Sequence, residues 1–312
     1  MADFITRPLS TSVVADANAD PLSLPPHLAE IAQRDFGETA ETRTLALAEL
    51  RIRINALPEK ERLVDMSDVN LVRFLRNRKY NMDRVVATTI AYTKFRADHA
   101  ELYNIDPQAI LKFDGVFKLM MGSAPDYRVI FTVTPKKIVT LFTEEFMKAH
   151  PQFLLRFNIW SFERVSMMPA AQVCGIMSVL SFMDFSMWDN VALARMVNVQ
   201  DRVQAFTFLT SCLGMKVKGL FVFEAPMLVQ GIFTIISTFM SSKLRDRIHL
   251  GGKNYSILQE HFKDNLDALP VAFGGTAPNA AVAPWLLQEV QKMLDEAPVP
   301  PTAAAACLKT TK

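Results

Sequence analysis

The stretch Met215–Gly275 reads MKVKGLFVFEAPMLVQGIFTIISTFMSSKLRDRIHLGGKNYSILQEHFKDNLDALPVAFGG, and it decides the fold. Gly219–Glu224 is a short apolar run that ends at a charge and is soon followed by a proline, a pattern that predicts a buried strand. Pro226 stands where a helix would begin, since its missing N–H costs nothing at the first helical position. We therefore expect a strand followed by an apolar helix over Pro226–Met240.

This apolar helix carries two adjacent apolar ridges, whereas an ordinary surface helix has a single apolar stripe. The two ridges consist of Leu228, Ile232, Ile235 and Phe239, and of Val229, Phe233, Ile236 and Met240. Three interpretations fit: a helix buried in a core, a lid with one ridge on an apolar ligand and the other on a membrane, and a transmembrane span over residues 220–240. Glu224 and Pro226 reduce the uninterrupted apolar length below the roughly 20 residues that a bilayer requires.

Basic residues flank this strand and helix on both sides. Lys216 and Lys218 precede the strand, while Lys243 and Arg247 follow the helix four residues apart, on one helical face. A cationic rim beside an apolar helix is typical of a protein that binds an anionic membrane surface. The rim therefore favours the lid, although a solvated charged face produces the same kind of cluster.

The composition limits the classes of function. The 312-residue chain has a net charge of +2, which is too small to indicate nucleic-acid binding. Half of the residues are apolar, with 22 Phe and 16 Met, which suits a large core or an apolar pocket because Met adapts to irregular volumes. The three cysteines are widely spaced and form neither a disulfide framework nor a zinc pattern. The first residues contain no apolar signal segment, so we expect a cytoplasmic protein.

Motifs of catalysis and metal binding do not occur in the sequence. None of the five His belongs to an HExxH pair or lies at a metal-ligand spacing from Cys or carboxylate residues, and GxSxG and GxGxxG are missing. We therefore expect no enzyme, no catalytic residues, no metal and no cofactor.

The stretch quoted above resembles the C-terminal half of a CRAL-TRIO domain, closest to the branch of the α-tocopherol transfer and retinaldehyde-binding proteins. Four segments in the same order and at similar spacing carry the resemblance: Lys216–Leu220, Glu224–Pro226, Lys243–Tyr255 and Leu269–Gly275. Upstream, LVRFLRNRKYNMDRV at Leu71–Val85 resembles the helical module that precedes this fold.

The resemblance and the alternation of apolar runs predict an α/β fold, in which a mixed or parallel sheet has flanking helices and a gate helix. We expect a lead-in with a short helix over 1–41, a helical subdomain over 42–105, the lipid-binding domain over 106–278, and a C-terminal helix with a flexible tail over 279–312. Further expected elements are strands at Tyr127–Val133 and Cys174–Phe182, helices at Phe153–Met168 and Val191–Met215, and helix starts at Asn81 and Thr143.

Carried over residue by residue, the resemblance implies a ligand pocket. The implied lining is Phe113, Leu155, Asn158, Phe162, Ile176, Leu180, Phe208, Leu209, Val217, Leu220, Val229, Phe233 and Ile236. The tocopherol branch has small serines where this chain has Asn158 and Phe162, and Phe162 would narrow the pocket. Asn158 is polar on an apolar helix, and a buried amide requires a hydrogen-bond partner.

The resemblance also implies a phosphoinositide-binding rim formed by Arg78, Lys216, Lys218, Lys243 and Arg247, and a membrane-contacting gate face formed by Leu228, Ile232 and Ile235. The implied function is an intracellular carrier that holds one hydrophobic ligand, a tocopherol-like or other isoprenoid or a retinoid. It would exchange this ligand at membranes that contain phosphoinositides. The alternative is a phosphoinositide sensor or scaffold that moves no cargo. We expect a monomer that associates transiently with membranes and has no nucleic-acid partner.

Overall fold

The structure is a computed structural model that describes residues 22–113, 116–121, 127–263, 266–276 and 285–296. The part of the expected lead-in before residue 22 and the flexible tail expected after the C-terminal helix lie outside the described residues.

A five-stranded mixed sheet forms the centre of the fold. Its strands are β1 (Phe117–Met121), β2 (Val129–Val133), β3 (Ile176–Ser181), β4 (Val217–Phe223) and β5 (Ile248–Gly251), and they lie side by side in chain order. The first two strands pair antiparallel, whereas β2 to β5 are parallel to one another. Parallel neighbours require long connections, which here contain the helices.

Helices precede, connect and follow the strands. Before the sheet come α1 (Pro26–Phe36), α2 (Ala40–Asn55), α3 (Asp68–Asn77), α4 (Met82–Asp98) and α5 (Pro107–Ile110). The connections contain α6 (Pro135–Leu141), α7 (Glu144–Ala149), α8 (Phe153–Ser166), α9 (Pro169–Val173), α10 (Met187–Met196), α11 (Val199–Thr207), α12 (Met227–Ser237) and α13 (Ser242–Arg245). After β5 come α14 (Ser256–His261) and α15 (Trp285–Glu296). Single turns of 3₁₀-helix lie at Glu59–Glu61, Ala100–Tyr103, Leu111–Phe113, Leu266–Ala268 and Val271–Phe273, and a π-turn lies at Phe208–Cys212.

Short polar side chains start several of these helices. The side chain of Asn81 accepts a hydrogen bond from the backbone N–H of Arg84 at 3.1 Å, and Thr143 accepts one from Phe146 at 3.2 Å. Each bond satisfies a backbone donor that the first helical turn leaves free. Both predicted helix starts are therefore confirmed.

The helix expected over Val191–Met215 was wrong. The segment forms two helices, α10 and α11, followed by the π-turn. Asn198 separates them, because its side chain caps α11 by accepting a hydrogen bond from the N–H of Gln200 at 2.8 Å. The elements that were not predicted are β1, β5, α5, α6, α9, α13 and α14.

The two faces of the sheet are covered differently. On one face Met177, Val179, Phe221 and Phe223 are completely buried beneath α14 and the segment that follows it. The other face supports the helices of the connections, with α8, α10 and α12 packed over different parts of it.

The N-terminal helices share a core with the sheet. The largest apolar cluster extends from Leu22 to Val290 and includes side chains of α2, α3, α4, α8 and α15. A buried ion pair reinforces this junction, as Arg76 Nη2 lies 2.6 Å from Glu38 Oε1 and Arg76 Nη1 donates to Gln172 on α9. The predicted fold class, an α/β sheet preceded by helices, is confirmed.

Candidate functional site

Helix α12 is held against its neighbours by one face only. Val229 packs against Leu193 of α10 and Val222 of β4, while Ile232 and Ile236 pack against residues of α11 such as Val203. These inward side chains are 6–8% exposed. Their spacing of three and four residues gives one inward stripe.

The outward side of α12 presents apolar side chains to solvent, next to the exposed polar residues Gln230 and Thr234. Met227 is 88% exposed, Leu228 37%, Ile235 46% and Phe239, just beyond the helix, 64%. The prediction that Ile232 belongs to this outward face was wrong, because Ile232 is only 7% exposed and packs toward α11.

Apolar side chains beneath α12 are incompletely covered. On the α12 side of the sheet, Ser178, Leu180 and Leu220 remain partly accessible, although β3 and β4 are central strands and their other face is fully buried. Ser178 and Leu220 are direct neighbours across the two strands. Protein interiors are normally close-packed, so partly accessible side chains at this position indicate space between the sheet and the helices.

The predicted lining residues fall into three separate apolar clusters. Leu155, Ile176, Phe208 and Leu209 are buried in the main core, with Phe162 and Val217 packed against it. Val229, Leu180, Leu220 and Phe233 form part of a second cluster, and Ile236 belongs to a third. Asn158 on α8 is half-buried, and its side-chain amide makes no hydrogen bond with any described residue. The side chain of Phe113 lies outside the described residues.

Glu224 connects β4 to the proline that precedes α12, and its backbone is strained. Its φ of 52° places a residue other than glycine in the left-handed region. Tyr255 fixes the position, since its hydroxyl lies 2.8 Å from Ser181 Oγ and 3.4 Å from Glu224 Oε1. The strain is thus located at the start of the helix that covers the space.

A cationic groove of about 690 Å³ lies at the other end of α12. All five residues of the predicted rim line it: Arg78, Lys216, Lys218, Lys243 and Arg247. Lys79, in the turn after α3, and Arg84, at the start of α4, also line it and were not predicted, because their position beside the groove depends on the tertiary fold. Lys79 and Tyr80 have φ of 52° and 58°, a left-handed turn that places Lys79 beside the groove.

Hydrogen bonds fix three of these cations. Arg78 Nε donates to Thr88 at 2.7 Å, Lys216 Nζ to the carbonyl of Val173 at 3.0 Å, and Arg247 Nη1 to the carbonyl of Val217 at 2.7 Å. Burial, and secondarily the charges of Lys79 and Lys218, lowers the pKa of Lys216 to about 7. Burial likewise lowers the pKa of Lys218.

The groove lacks acidic side chains among its described lining residues, and none of its seven cations forms an ion pair with a described residue. Several cations that repel one another without a counter-ion form a site for a multiply charged anion.

Exposed apolar residues also occur on α10, which packs beside the first turns of α12. Met187 is 74% exposed and Trp188 76%, while Leu193 of the same helix packs with Val229. Strands β3 and β4 end side by side at Ser181 and Phe223, so α10 and α12 start from the same edge of the sheet. The exposed apolar surface thus extends from α12 to α10.

A second, polar cleft of about 870 Å³ lies on the other side of α8, lined by Arg73, Tyr92, Arg96, Trp160 and Glu163 among others. It contains none of the predicted site residues. In the described ranges, no helix is both long enough and apolar enough to cross a bilayer, which contradicts the transmembrane interpretation of residues 220–240. The same ranges contain no group of three potential metal ligands.

Several known proteins are similar to this chain. The sequence model of the CRAL/TRIO domain matches residues 114–275. Clavesin-1 of Xenopus laevis is 25% identical over 272 residues, which is 84% of this chain and 76% of clavesin-1. Alpha-tocopherol transfer protein-like of Mus musculus is 23% identical over 228 residues, which is 70% of this chain and 62% of that protein. The solved structure of Sfh5 aligns with 88% of this chain and 99% of its own at 11% identity and a TM-score of 0.43.

Proposed function

The chain belongs to the CRAL/TRIO domain family, and on that premise we propose that it carries one hydrophobic lipid beneath α12 and exchanges it at membranes that contain phosphoinositides. The observation that carries this proposal is the arrangement around α12. One face of the helix covers a partly open apolar space, the other presents apolar side chains to solvent, and a cationic groove adjoins its end.

Membrane contact would use the outward faces of α12 and α10 together. Each exposed apolar side chain that enters the lipid would contribute about 1–3 kcal/mol to the free energy of membrane binding. These side chains are Met227, Leu228, Ile235 and Phe239 at α12, and Met187 and Trp188 on α10. Trp residues are favourable at the membrane interface. Association costs about 4–15 kcal/mol against this sum, so docking is reversible.

The groove would bind the phosphorylated headgroup. Its cations come from the turn between α3 and α4, the start of α4, β4 with the residue before it, and the segment after α12. An anion bound there would contact both the helical N-terminal part and the end of the gate. Binding of such a ligand would shift the segment after α12, and α12 would rotate about Glu224 at its other end. Headgroup binding and opening of the gate would thereby be coupled.

The cargo is an apolar lipid of isoprenoid or retinoid size. One relative is named as α-tocopherol transfer protein-like, which makes α-tocopherol the first compound to test. Extraction of lipids from the purified protein, followed by mass spectrometry, identifies the cargo; protein that retains no lipid and takes none up from vesicles would contradict the proposal.

The alternative, a phosphoinositide sensor without cargo, is favoured only by the groove. A transfer assay between vesicles with a fluorescent lipid separates the two. We expect transfer by the wild type, slower transfer by Lys79→Ala/Lys243→Ala on acceptor vesicles with phosphatidylinositol bisphosphate, and no change for Lys148→Ala, an exposed lysine outside the groove. Groove-dependent vesicle binding without any transfer would support the sensor.

A further inference from the structure

Arg202 on α11 points toward the interior. One side of this helix packs toward α12 through Val199, Val203 and Phe206. A second side faces the main core through Ala205 and α8 through Asp201, which approaches Gln152. Gln200 and Thr207 are exposed. At 100° per residue, Arg202 lies between the side that contacts α12 and the side that contacts α8, and opposite the exposed side. Its side chain therefore projects into the region that α8 and α12 enclose.

The guanidinium of Arg202 has no partner there. Its side chain forms no hydrogen bond and no ion pair with any residue that the structure describes, and its Nε is completely buried. The neighbouring carboxylate, Asp201, lies on another side of the helix, 3.4 Å from Gln152 Nε2. Burial lowers the pKa of Arg202, but a guanidinium remains protonated in proteins.

A buried guanidinium Nε without a hydrogen-bond partner is costly, because the donor has lost its contact with water. Arg202 is half-buried and keeps some accessible surface, as expected for a group that borders internal space. Asn158 on α8, which contacts α11, adds a second polar group with a free amide. The apolar space thus has a polar end.

We propose that the lipid carried under α12 has an acidic group at one end, a carboxylate or a phosphate monoester, and that Arg202 binds this group. The inference rests on the proposed carrier function. A carboxylate or phosphate oxygen pair matches the planar fork of a guanidinium, and the Asn158 amide supplies a further donor. A neutral lipid such as an alcohol would leave the charge uncompensated in an otherwise apolar space.

The test uses three probes with the same chain: oleate, oleyl phosphate and oleyl alcohol. Binding to the full-length protein is measured by titration calorimetry after removal of co-purified lipid. We expect one acidic probe to bind at least about tenfold more tightly than oleyl alcohol, since a charge-assisted hydrogen bond has that magnitude. The tighter of oleate and oleyl phosphate identifies the acid.

Variants of Arg202 separate binding from folding. Arg202→Met should abolish the preference for the acidic probe while leaving oleyl alcohol binding unchanged or stronger, and Arg202→Lys should retain part of the preference. Arg195→Met, at an exposed position on α10, is the control and should behave like the wild type. If Arg202→Met does not fold, the wild type and Arg202→Lys still decide the question.

Two negative results have different meanings. Tight binding of oleyl alcohol with no preference for acid, unchanged in Arg202→Met, overturns the role of Arg202 and leaves the carrier function intact. Failure of all three probes to bind the wild type counts against the carrier function, and with it against this inference.

Discussion

Gly214 lies against the guanidinium of Arg78 so closely that a Cβ at position 214 would come within 2.7 Å of Arg78 Nε. The glycine also has a φ of +67°, which side chains disfavour. Arg78 in turn donates hydrogen bonds to Thr88 and to the carbonyl of Thr210. The wall of the cationic groove therefore depends on a residue without a side chain.

Gly214→Ala should consequently impair both stability and anion binding. The clash and the left-handed backbone should cost about 1–3 kcal/mol of unfolding free energy, and displacement of Arg78 should weaken binding to vesicles with phosphatidylinositol bisphosphate several-fold. Urea denaturation and vesicle sedimentation measure the two effects. Gly252→Ala, where a Cβ would meet nothing within 4 Å, is the matched control. Equal behaviour of the two variants would show that Arg78 has room to move.

The buried Lys216 should make stability depend on pH. Burial, with the charges of Lys79 and Lys218, lowers its pKa from 10.5 to about 7. Between these two values the unfolded chain binds a proton that the folded chain does not, so the unfolding free energy rises with pH, by at most about 1.4 kcal/mol per pH unit. Below pH 7 both states are protonated and the dependence ends.

Lys216→Met removes this dependence because it removes the titrating group. We expect Lys216→Met to be more stable than the wild type below pH 7. This difference in unfolding free energy should shrink as the pH rises, because the wild type gains stability. Urea denaturation of both proteins at several pH values provides the measurement. Parallel pH profiles would mean that Lys216 keeps an ordinary pKa.

Ile232 and Ile235 should behave in opposite ways although they are three residues apart. Ile232→Ala removes a packed side chain and should lower the unfolding free energy by about 2–4 kcal/mol. Ile235→Ala, at a 46% exposed position, should leave stability nearly unchanged but reduce partitioning onto vesicles about tenfold. A vesicle-binding defect confined to Ile232→Ala would contradict the orientation of α12.

The buried pair Arg76–Glu38 should be essential to the junction of the N-terminal helices with α9. Both side chains are at most 3% exposed. Glu38→Gln should destabilise the protein by about 3–5 kcal/mol, because it leaves the guanidinium buried without a counter-charge. The exposed pair Arg34–Asp35 provides the comparison, and Arg34→Ala should leave the denaturation midpoint unchanged. If both substitutions change the unfolding free energy only slightly, water must solvate the guanidinium of Arg76 when Glu38 is neutral.

Local signals in the sequence predicted much of the fold. The apolar run before Glu224, the caps at Asn81 and Thr143, and the long apolar pattern of α8 each have a local physical cause, and the structure contains the corresponding elements. The break between α10 and α11 had a usable signal in Asn198, a residue that favours helix starts. Strand β1 had no comparable signal, because a short apolar run fits a helix or a strand equally well.

Side-chain orientation was harder to predict than the elements. The sequence presents two equivalent ridges on α12, and only the packing of α11 determines that Ile232 faces inward. Four of the predicted cations flank β4 and α12 in the sequence, and Arg78 was added by the family resemblance. Lys79 and Arg84 reach the groove only through the tertiary fold. Arg202 had no signal at all, since a charged residue on a helix is ordinarily solvated.

The strands follow one another across the sheet in chain order, and right-handed connections between parallel strands then all fall on the same side. Here that side holds the partly open space, while Met177 and Phe221 anchor the opposite side against α14. Lengthening or shortening a connection would thus change the volume of this space without disturbing the packing between the sheet and α14. The volume of the space and the stability of the sheet are therefore determined by different parts of the chain.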